Sequence, residues 1–445
     1  KKMLDKLIKL LSYKQKKNLI ILLCLWLILY FLEVVGLGTI PLLLSIILEN
    51  QGFVNINFLS NIMEKLSIYV PIENKVLLIS CFVILFFIFK NLYYIFVSIY
   101  EAKVIKEIDV EVRDQVLRKR LNLPYVDLLN ISSSQIVRTV TLDASTACSY
   151  IFSLVTLIGQ SFLFIFILCL LFIIDYKVIV LILPLFAAIF YLFYFLTNKK
   201  LIKLGKEKQA LGGKLIKNIN NTFENFKEVK IYNKISFIAG MFKNDLSSNH
   251  DRVKKILILK KIPRAVYELL GIFLIFFIVF YLIYNSYAKE DIIIILSLIT
   301  IAIIRILPSM NLITQSLSTI KSSQHSFNTI NDIVKKNIEN NEDKIINLNN
   351  KITFDKKIEF KNVSFKYKNS KYKLEKFNFT IEKNSKVGIY GASGSGKSTI
   401  INLFTGLLQP NLGTIIADGQ NINNNILSWQ KKIGYVTQEN YLMDD

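Results

Sequence analysis

The chain has 445 residues, of which 52% are hydrophobic, and its 55 lysines and arginines against 33 acidic residues give a formal net charge of +22. This composition is too apolar for a disordered protein and is high for a soluble globular one. Strong hydrophobicity combined with strong positive charge favours a membrane protein with a basic inner face over a nucleic-acid-binding protein. The four cysteines and two histidines show no spacing that suits a metal site or a disulfide framework.

Six stretches are long and apolar enough to cross a bilayer, which requires about 20 residues of helix. They are residues 19–48, 76–99, 150–174, 178–196, 265–287 and 292–312. Buried helices of a large soluble core are the alternative, but six runs of this length are too many for it. We therefore predict an α-helical polytopic membrane domain over residues 1–334.

The orientation of these spans follows from the lysines and arginines in the connections. The N-terminal segment and the two long loops carry 30 of them, whereas the alternate connections carry four. This predicts that the N-terminus and both long loops are cytosolic and that residues 49–75 are external.

The two long inner connections contain little glycine or proline and are predicted to be helices that continue out of the membrane. Each connection then forms a helical hairpin, with tips near residues 124–134 and 220–235. We expect another part of the protein to dock against these tips.

A second composition begins after the last span. Residues 335–356 are polar and are predicted to be a linker, and residues 357–445 are predicted to be part of a soluble α/β domain. Alternating apolar residues indicate strands at 358–361, 363–367 and 377–381, and residues 386–390 are predicted to be a short buried strand.

The segment that follows residue 390 fits the phosphate-loop pattern G-x-x-x-x-G-K-[ST] between a strand and a helix. Its glycines let backbone N–H groups face phosphate oxygens, and the helix start adds unpaired N–H groups. Lys397 is predicted to bind the β- and γ-phosphates, and the Ser398 hydroxyl to bind Mg²⁺. The predicted nucleotide-binding residues of this loop are Gly391, Ala392, Ser393, Gly394, Ser395, Gly396, Lys397, Ser398 and Thr399.

Six spans with two inner hairpins, followed by a phosphate loop, resemble the half-transporters of the ATP-binding cassette (ABC) exporters. The resemblance implies an exporter-type membrane domain and a P-loop NTPase domain that binds ATP and Mg²⁺. It also implies that Tyr367, in the Val-Ser-Phe-Lys-Tyr segment, stacks on adenine. Gln438, which ends Ile-Gly-Tyr-Val-Thr-Gln, would be catalytic and contact Mg²⁺ and the attacking water. Tyr367 as an ordinary strand aromatic and Gln438 as a solvated loop residue are the alternatives, and Thr437 departs from the usual proline.

The signature motif, the Walker B carboxylates and the switch histidine of that family would follow Asp445. We therefore interpret the sequence as part of a longer chain, with a natural truncation as the alternative, and expect it to be inactive in hydrolysis alone.

Charged residues at membrane depth are costly and indicate function or internal pairing. The candidate cavity residues are Glu33, Lys90, Arg264, Glu268 and Arg305. The segments around Glu33, Arg264 and Arg305 resemble the subgroup of exporters that contains bacterial lipid-linked oligosaccharide flippases. An anionic head group would suit Lys90 and Arg305, whereas internal ion pairs that fix helix packing are the alternative.

The leading hypothesis is a homodimeric exporter or flippase in a bacterial inner membrane that moves an amphipathic, anionic, lipid-linked substrate by alternating access. The nucleotide-binding domain would be cytosolic, and nucleic acid would not be a partner. Peptide, lipid or drug export and a nucleotide-gated channel or regulator on the same scaffold are the alternatives. No protease domain precedes residue 19, which argues against a peptide-maturing exporter, and the spans argue against a soluble cassette that acts on nucleic acid.

Overall fold

The computed structural model describes residues 10–47, 72–174, 176–285, 289–335, 352–367 and 373–437, with some side chains inside the helices excepted. It divides into two compact units, which are treated separately below. The membrane unit comprises residues Lys1–Leu117 and Val137–Lys335, and the phosphate-loop unit comprises Arg118–Ile136 and Lys336–Asp445.

Long helices dominate the chain up to residue 335. They are α1 (Tyr13–Ile47), α2 (Ile72–Leu121), α3 (Tyr125–Leu128), α4 (Ser133–Arg138), α5 (Ala144–Ile174), α6 (Tyr176–Glu224), α7 (Phe226–Ile231), α8 (Ile235–Tyr284) and α9 (Lys289–Lys335), with a π-helical turn at Thr139–Asp143 between α4 and α5. The start of α1 is fixed by a capping box, in which Ser12 and Gln15 exchange side-chain-to-backbone hydrogen bonds.

Five of these helices are long and apolar enough to cross a membrane within the described residues. The candidate segments are Tyr13–Thr39, Ile79–Leu121, Ser133–Phe172, Ile235–Tyr284 and Ile295–Lys335. The fourth predicted span, 178–196, lies in helix α6, but nine of its nineteen side chains are outside the described residues. The external connection 49–75 and the linker 335–356 also fall mainly outside them.

Helix α9 forms the centre of the membrane unit, since it packs along α5 and also contacts α1, α6 and α8. Between α5 and α9, Tyr150 stacks on Phe327, and the two fully buried rings have centroids 4.2 Å apart. The C-terminal half of α2 buries an apolar stripe at four-residue spacing, which is the period that aligns side chains on one helix face. Its residues are Val104, Ile108, Val112 and Val116.

The two predicted hairpin tips contain the short helices α3 and α7. The first tip belongs to the phosphate-loop unit, where Tyr125 and Val126 pack against the apolar core of that unit. The prediction that this tip docks against another part of the protein is therefore confirmed. The second tip exposes Phe223, Ile231 and Tyr232, each at least 70% accessible.

Besides α3 and the start of α4, the elements of the phosphate-loop unit are β1 (Lys357–Lys366), β2 (Lys373–Glu382), α10 (Lys397–Phe404), β3 (Leu412–Ala417), β4 (Gln420–Asn421), a 3-10 turn (Ile422–Asn424) and α11 (Ile426–Gln430). The four strands form an antiparallel sheet with the order β2-β1-β3-β4.

A bulge in β1 explains the spacing of its buried residues. Ile358 and Phe360 are buried, and the next buried positions are Val363 and Phe365, three residues after Phe360 rather than two. The register shifts between Phe360 and Val363, where Asn362 has a positive φ of 50°. The extra residue returns the apolar side chains to the core face of the sheet.

The predicted buried strand at 386–390 is wrong for this structure. These residues form no strand, and Val387 and Ile389 are each 44% exposed while Tyr390 is 97% exposed. A parallel strand is buried by neighbouring strands and by the helices that cross between them. The described part of the chain places no strand beside residues 386–390, and therefore their apolar side chains remain accessible.

Candidate functional site

The phosphate loop turns sharply before helix α10. Gly394 and Gly396 have φ values of +80° and +94°, in the left-handed region that favours glycine, and Gly396 is the N-cap of α10. Lys397 lies at the first position of the helix, and its ammonium group donates to the carbonyl oxygens of Gly391 (2.8 Å) and Ala392 (2.9 Å). The side chain of the predicted phosphate ligand therefore folds back over the loop.

The first turn of α10 presents free backbone donors next to this lysine. The N–H of Ile400 bonds to the carbonyl of Gly396, so the N–H groups before it have no acceptor inside the helix. Ser398 is exposed, as a metal or phosphate ligand must be, whereas Thr399 is buried, with 6% of its surface accessible.

Tyr367 lies at the end of β1 beside an open cavity of about 450 Å³. Its ring packs edge-to-face against the ring of Phe365, with the two centroids 4.9 Å apart. This contact fixes the orientation of the Tyr367 ring at the wall of the cavity. The same cavity is lined by polar and charged residues, including Lys373, Glu375 and Asn411. The described residues show no hydrogen bond or ring contact between Tyr367 and the phosphate loop, and Gln438 lies outside the described residues.

Two of the charged residues predicted to line a cavity are paired with each other across the membrane unit. The guanidinium group of Arg305 on α9 lies 2.7 Å from the carboxylate of Glu33 on α1, with side chains 43% and 14% exposed. The internal-pairing alternative therefore accounts for Arg305 and Glu33 in this conformation.

Lys90 on α2 is the exception among these charges. It is 7% exposed, and it makes no ion pair with a carboxylate among the described residues. Its ammonium group lies 5.0 Å from the ring centroid of Phe87, and it interacts electrostatically with Glu33 and Arg305. Lys90, Glu33 and Arg305 together carry a net charge of +1.

Arg264 and Glu268 form a separate pair on α8. They are one helical turn apart, their charged atoms are 2.8 Å from each other, and both side chains are more than half exposed. Such an exposed pair contributes little to stability.

The sequence interpretation missed two polar clusters. In the membrane unit, Gln160 donates to the Tyr30 hydroxyl (3.2 Å), and Ser309 donates to the Gln160 carbonyl (3.1 Å), which links α1, α5 and α9. In the second cluster, Asp143 ends the π-helical turn, and its buried carboxylate accepts three side-chain hydrogen bonds. Neither cluster has a sequence signal, because uncharged polar residues and single aspartates are common in helices.

Comparison with known proteins identifies both parts of the chain. Residues 23–307 match the model of the ABC transporter transmembrane region, and residues 374–445 match that of the ABC transporter. A bacterial Atm1-family ABC exporter with ATP bound has a similar fold, with a TM-score of 0.74 over 97% of this chain and 73% of that chain, at 15% identity.

Three relatives in sequence each match over about a fifth of this chain. An uncharacterized ABC transporter ATP-binding protein of Haemophilus influenzae is 42% identical over 19% of this chain and 14% of its own length. The mitochondrial iron-sulfur clusters transporter of Candida albicans is 44% identical over 20% of this chain and 12% of its own. The α-hemolysin translocation ATP-binding protein of Escherichia coli O157:H7 is 39% identical over 20% and 13%. The aligned segment is therefore a small fraction of each of these proteins.

The transmembrane match alone extends over more than half of the chain, and the cassette match follows it in the order found in exporters. The chain therefore belongs to the ABC transporter family, as a helical membrane domain of the exporter fold followed by part of the nucleotide-binding domain.

Proposed function

We propose that this chain works within an ATP-driven exporter or flippase, as a homodimer in a bacterial inner membrane. The observation that carries the proposal is the presence, in one chain, of a glycine-turned phosphate loop and a transmembrane region of ABC type. Either part alone would be compatible with other functions. Together they support the use of nucleotide binding to drive a change in a membrane pathway.

ATP would be held by the phosphate loop. Lys397 would exchange its two neutral carbonyl partners for the β- and γ-phosphates, because charged acceptors form stronger hydrogen bonds than neutral ones. Ser398 would hold Mg²⁺, which supplies positive charge to the phosphates when bound. Tyr367 would stack on adenine, and Gln438 would contact Mg²⁺ and the attacking water.

The orientation in the membrane follows from the charge of the connections, with 30 basic residues on one side and four on the other. We propose that both hairpin tips and the nucleotide-binding domain are cytosolic. Cysteines placed at Ser133 and Asn225 should react with a membrane-impermeant maleimide only after the cells are opened. Labelling of either position in intact cells would refute this orientation.

The proposed cargo is amphipathic and anionic, such as a lipid-linked oligosaccharide. It is supported by Lys90, a buried cation that no carboxylate neutralises among the described residues. Burying a charge without a partner is costly, and such a residue persists most readily where an anion arrives during the working cycle. The names of two relatives give iron–sulfur clusters and α-hemolysin as the material that those proteins transport. For this chain, export of a peptide or drug is the alternative to the lipid-linked cargo.

The test uses the full-length protein in lipid vesicles and measures ATP turnover with and without a lipid-linked oligosaccharide. We expect stimulation in the wild type and in the control Lys217→Gln, an exposed lysine far from the spans. Lys90→Gln should keep its basal turnover and lose most of the stimulation. Full stimulation of a stable Lys90→Gln protein would refute the anionic cargo, and absence of turnover in the wild type would refute the ATP-driven function.

A further inference from the structure

Five lysines cluster where helices α6 and α8 leave their predicted membrane spans. Lys199, Lys200 and Lys203 follow the fourth span, and Lys260 and Lys261 precede the fifth. At a rise of 1.5 Å per residue, each lies within about 11 Å of the end of its span. We call these five lysines the basic band.

The backbone of the basic band is fixed by packing between the two helices. Leu201 and Leu204 of α6 and Ile256 of α8 form a small buried cluster, and Leu259 packs against it. On α6 the two leucines alternate with the lysines, and on α8 Ile256 and Leu259 precede Lys260 and Lys261. The positively charged groups are therefore held on a preformed two-helix surface before any ligand binds.

The charge of the basic band is not compensated by the described part of the protein. Four of the lysines are exposed and Lys260 is half-buried, and none of the five forms an ion pair or a side-chain hydrogen bond among the described residues. Lys208 adds a further repulsive interaction with Lys260. The nearby carboxylate of Glu207 already binds Arg252 at 3.2 Å. Farther from the membrane the pattern differs, since Lys214 pairs with Asp245 at 2.7 Å.

Apolar side chains lie next to the basic band on its membrane side. Phe195 and Leu196 of α6 are 69% and 65% exposed, and Ile262 of α8 is 45% exposed. A cationic surface directly below an exposed apolar surface is complementary to a lipid, with its acyl chains in the membrane and its phosphate at the edge.

We propose that the basic band binds the phosphate headgroups of anionic lipids in the leaflet that faces the long loops. The choice of leaflet rests on the orientation proposed above, whereas the binding itself is independent of cargo transport. Each basic residue close to an anionic surface strengthens attraction by a factor of roughly five, and this attraction decays within about 8 Å at physiological salt. The five lysines lie about that close to the headgroup layer.

The experiment compares the association of spin-labelled phosphatidylglycerol and spin-labelled phosphatidylcholine with the full-length protein in phosphatidylcholine vesicles. The test variant replaces Lys199, Lys200 and Lys203 with glutamine. The matched control replaces three exposed lysines that lie at least about 20 Å farther along the hairpin. These control residues are Lys217, Lys227 and Lys243.

We expect the wild type and the control to prefer phosphatidylglycerol by about threefold or more at low salt. The preference should fall to about one in the test variant, and in the wild type at 0.5 M NaCl. A second variant with arginine at the same three positions should keep the preference, which separates loss of charge from loss of folding.

A wild-type preference of about one at low salt, or an equal fall in the control, would overturn the proposal. Nucleic acid that co-purifies with the wild type and is lost from the test variant, without a lipid preference, would instead assign the basic band to nucleic acid. An inverted orientation would be detected by the cysteine labelling and would leave the lipid preference unchanged.

Discussion

Asp143 offers the sharpest test of the packing of the membrane unit, because its carboxylate joins three elements. It accepts from Arg138 Nε at the end of α4 (3.1 Å), from Gln209 Nε2 on α6 (2.9 Å) and from Ser326 Oγ on α9 (3.2 Å). Its side chain is 3% exposed, and that of Arg138 is 21% exposed. Arg138 in turn fills the space beside Gly213, where an added Cβ would lie 2.6 Å from the guanidinium group.

We expect Asp143→Asn to destabilise the protein by about 2–3 kcal/mol. Removing one partner of a buried ion pair costs roughly 3–5 kcal/mol, and the partial exposure of Arg138 lets water offset part of that. The amide keeps one oxygen for Gln209 and Ser326 but turns its NH₂ group toward another donor. At about 2 cal/mol/K per residue, the 445 residues have an unfolding entropy of about 0.9 kcal/mol/K, so a loss of this size lowers the melting temperature by about 2–3 °C.

The assay is thermal unfolding of the detergent-solubilised full-length protein, with Asp245→Asn as the matched control. Asp245 also accepts two side-chain hydrogen bonds, one from Asn218 and one from Lys214, but the side chain of Lys214 is 56% exposed. We expect a loss below about 1 kcal/mol there, as for exposed ion pairs. The double variant Asp143→Asn/Arg138→Gln should recover part of the loss, because glutamine no longer leaves a charge unpaired. An equal loss of stability in Asp143→Asn and Asp245→Asn would show that the burial of the Asp143 carboxylate does not determine its contribution to stability.

Three further predictions concern the phosphate loop, the membrane pair and the sheet. Lys397→Ala should weaken Mg-ATP binding by about tenfold or more and abolish turnover. The control Lys432→Ala, which replaces an exposed lysine, should do neither. Wild-type turnover in Lys397→Ala would refute the phosphate-loop assignment. Glu33→Gln and Arg305→Gln should each cost about 1–3 kcal/mol in thermal unfolding, with a double variant less destabilised than the sum; strict additivity would exclude the pair. Backbone N–H groups of residues 355–357 donate to the Asp418 carboxylate and lower its pKa. The stabilisation from these bonds is therefore present above the pKa of the unfolded state and is lost as the pH falls through the pKa of the folded state. Asp418→Asn should lose this part of the pH dependence of the melting temperature, and a wild-type pH dependence below about pH 5 in that variant would contradict the prediction.

The membrane helices and the phosphate loop could be predicted because their signals are local. A run of about 20 apolar residues is sufficient for a span, and the loop places its glycines, lysine and serine within nine positions. Residues 386–390 have an equally apolar local pattern, yet Val387 and Ile389 are half-exposed. Their burial depends on neighbouring strands, which a local pattern does not contain.

Asp143 could not be predicted for a related reason. Its partners Gln209 and Ser326 are 66 and 183 residues away in the chain. A single aspartate in a helical pattern is most simply interpreted as solvated, and only the contact between α5, α6 and α9 buries it. The π-helical turn at Thr139–Asp143 has no sequence signal that distinguishes it from the α-helix around it.

The charged residues of the spans show how the structure narrows a hypothesis that the sequence left open. Sequence alone treated Lys90 and Arg305 as equivalent cations, each able to attract an anionic cargo or to form an internal pair. In the structure Arg305 forms an ion pair with Glu33. Lys90 is more deeply buried, lies over the ring of Phe87, and forms no ion pair of its own among the described residues. An anion that enters near Lys90 would therefore meet one uncompensated positive charge rather than two. The cargo experiment consequently depends on Lys90, and variants of Arg305 are expected to report first on helix packing.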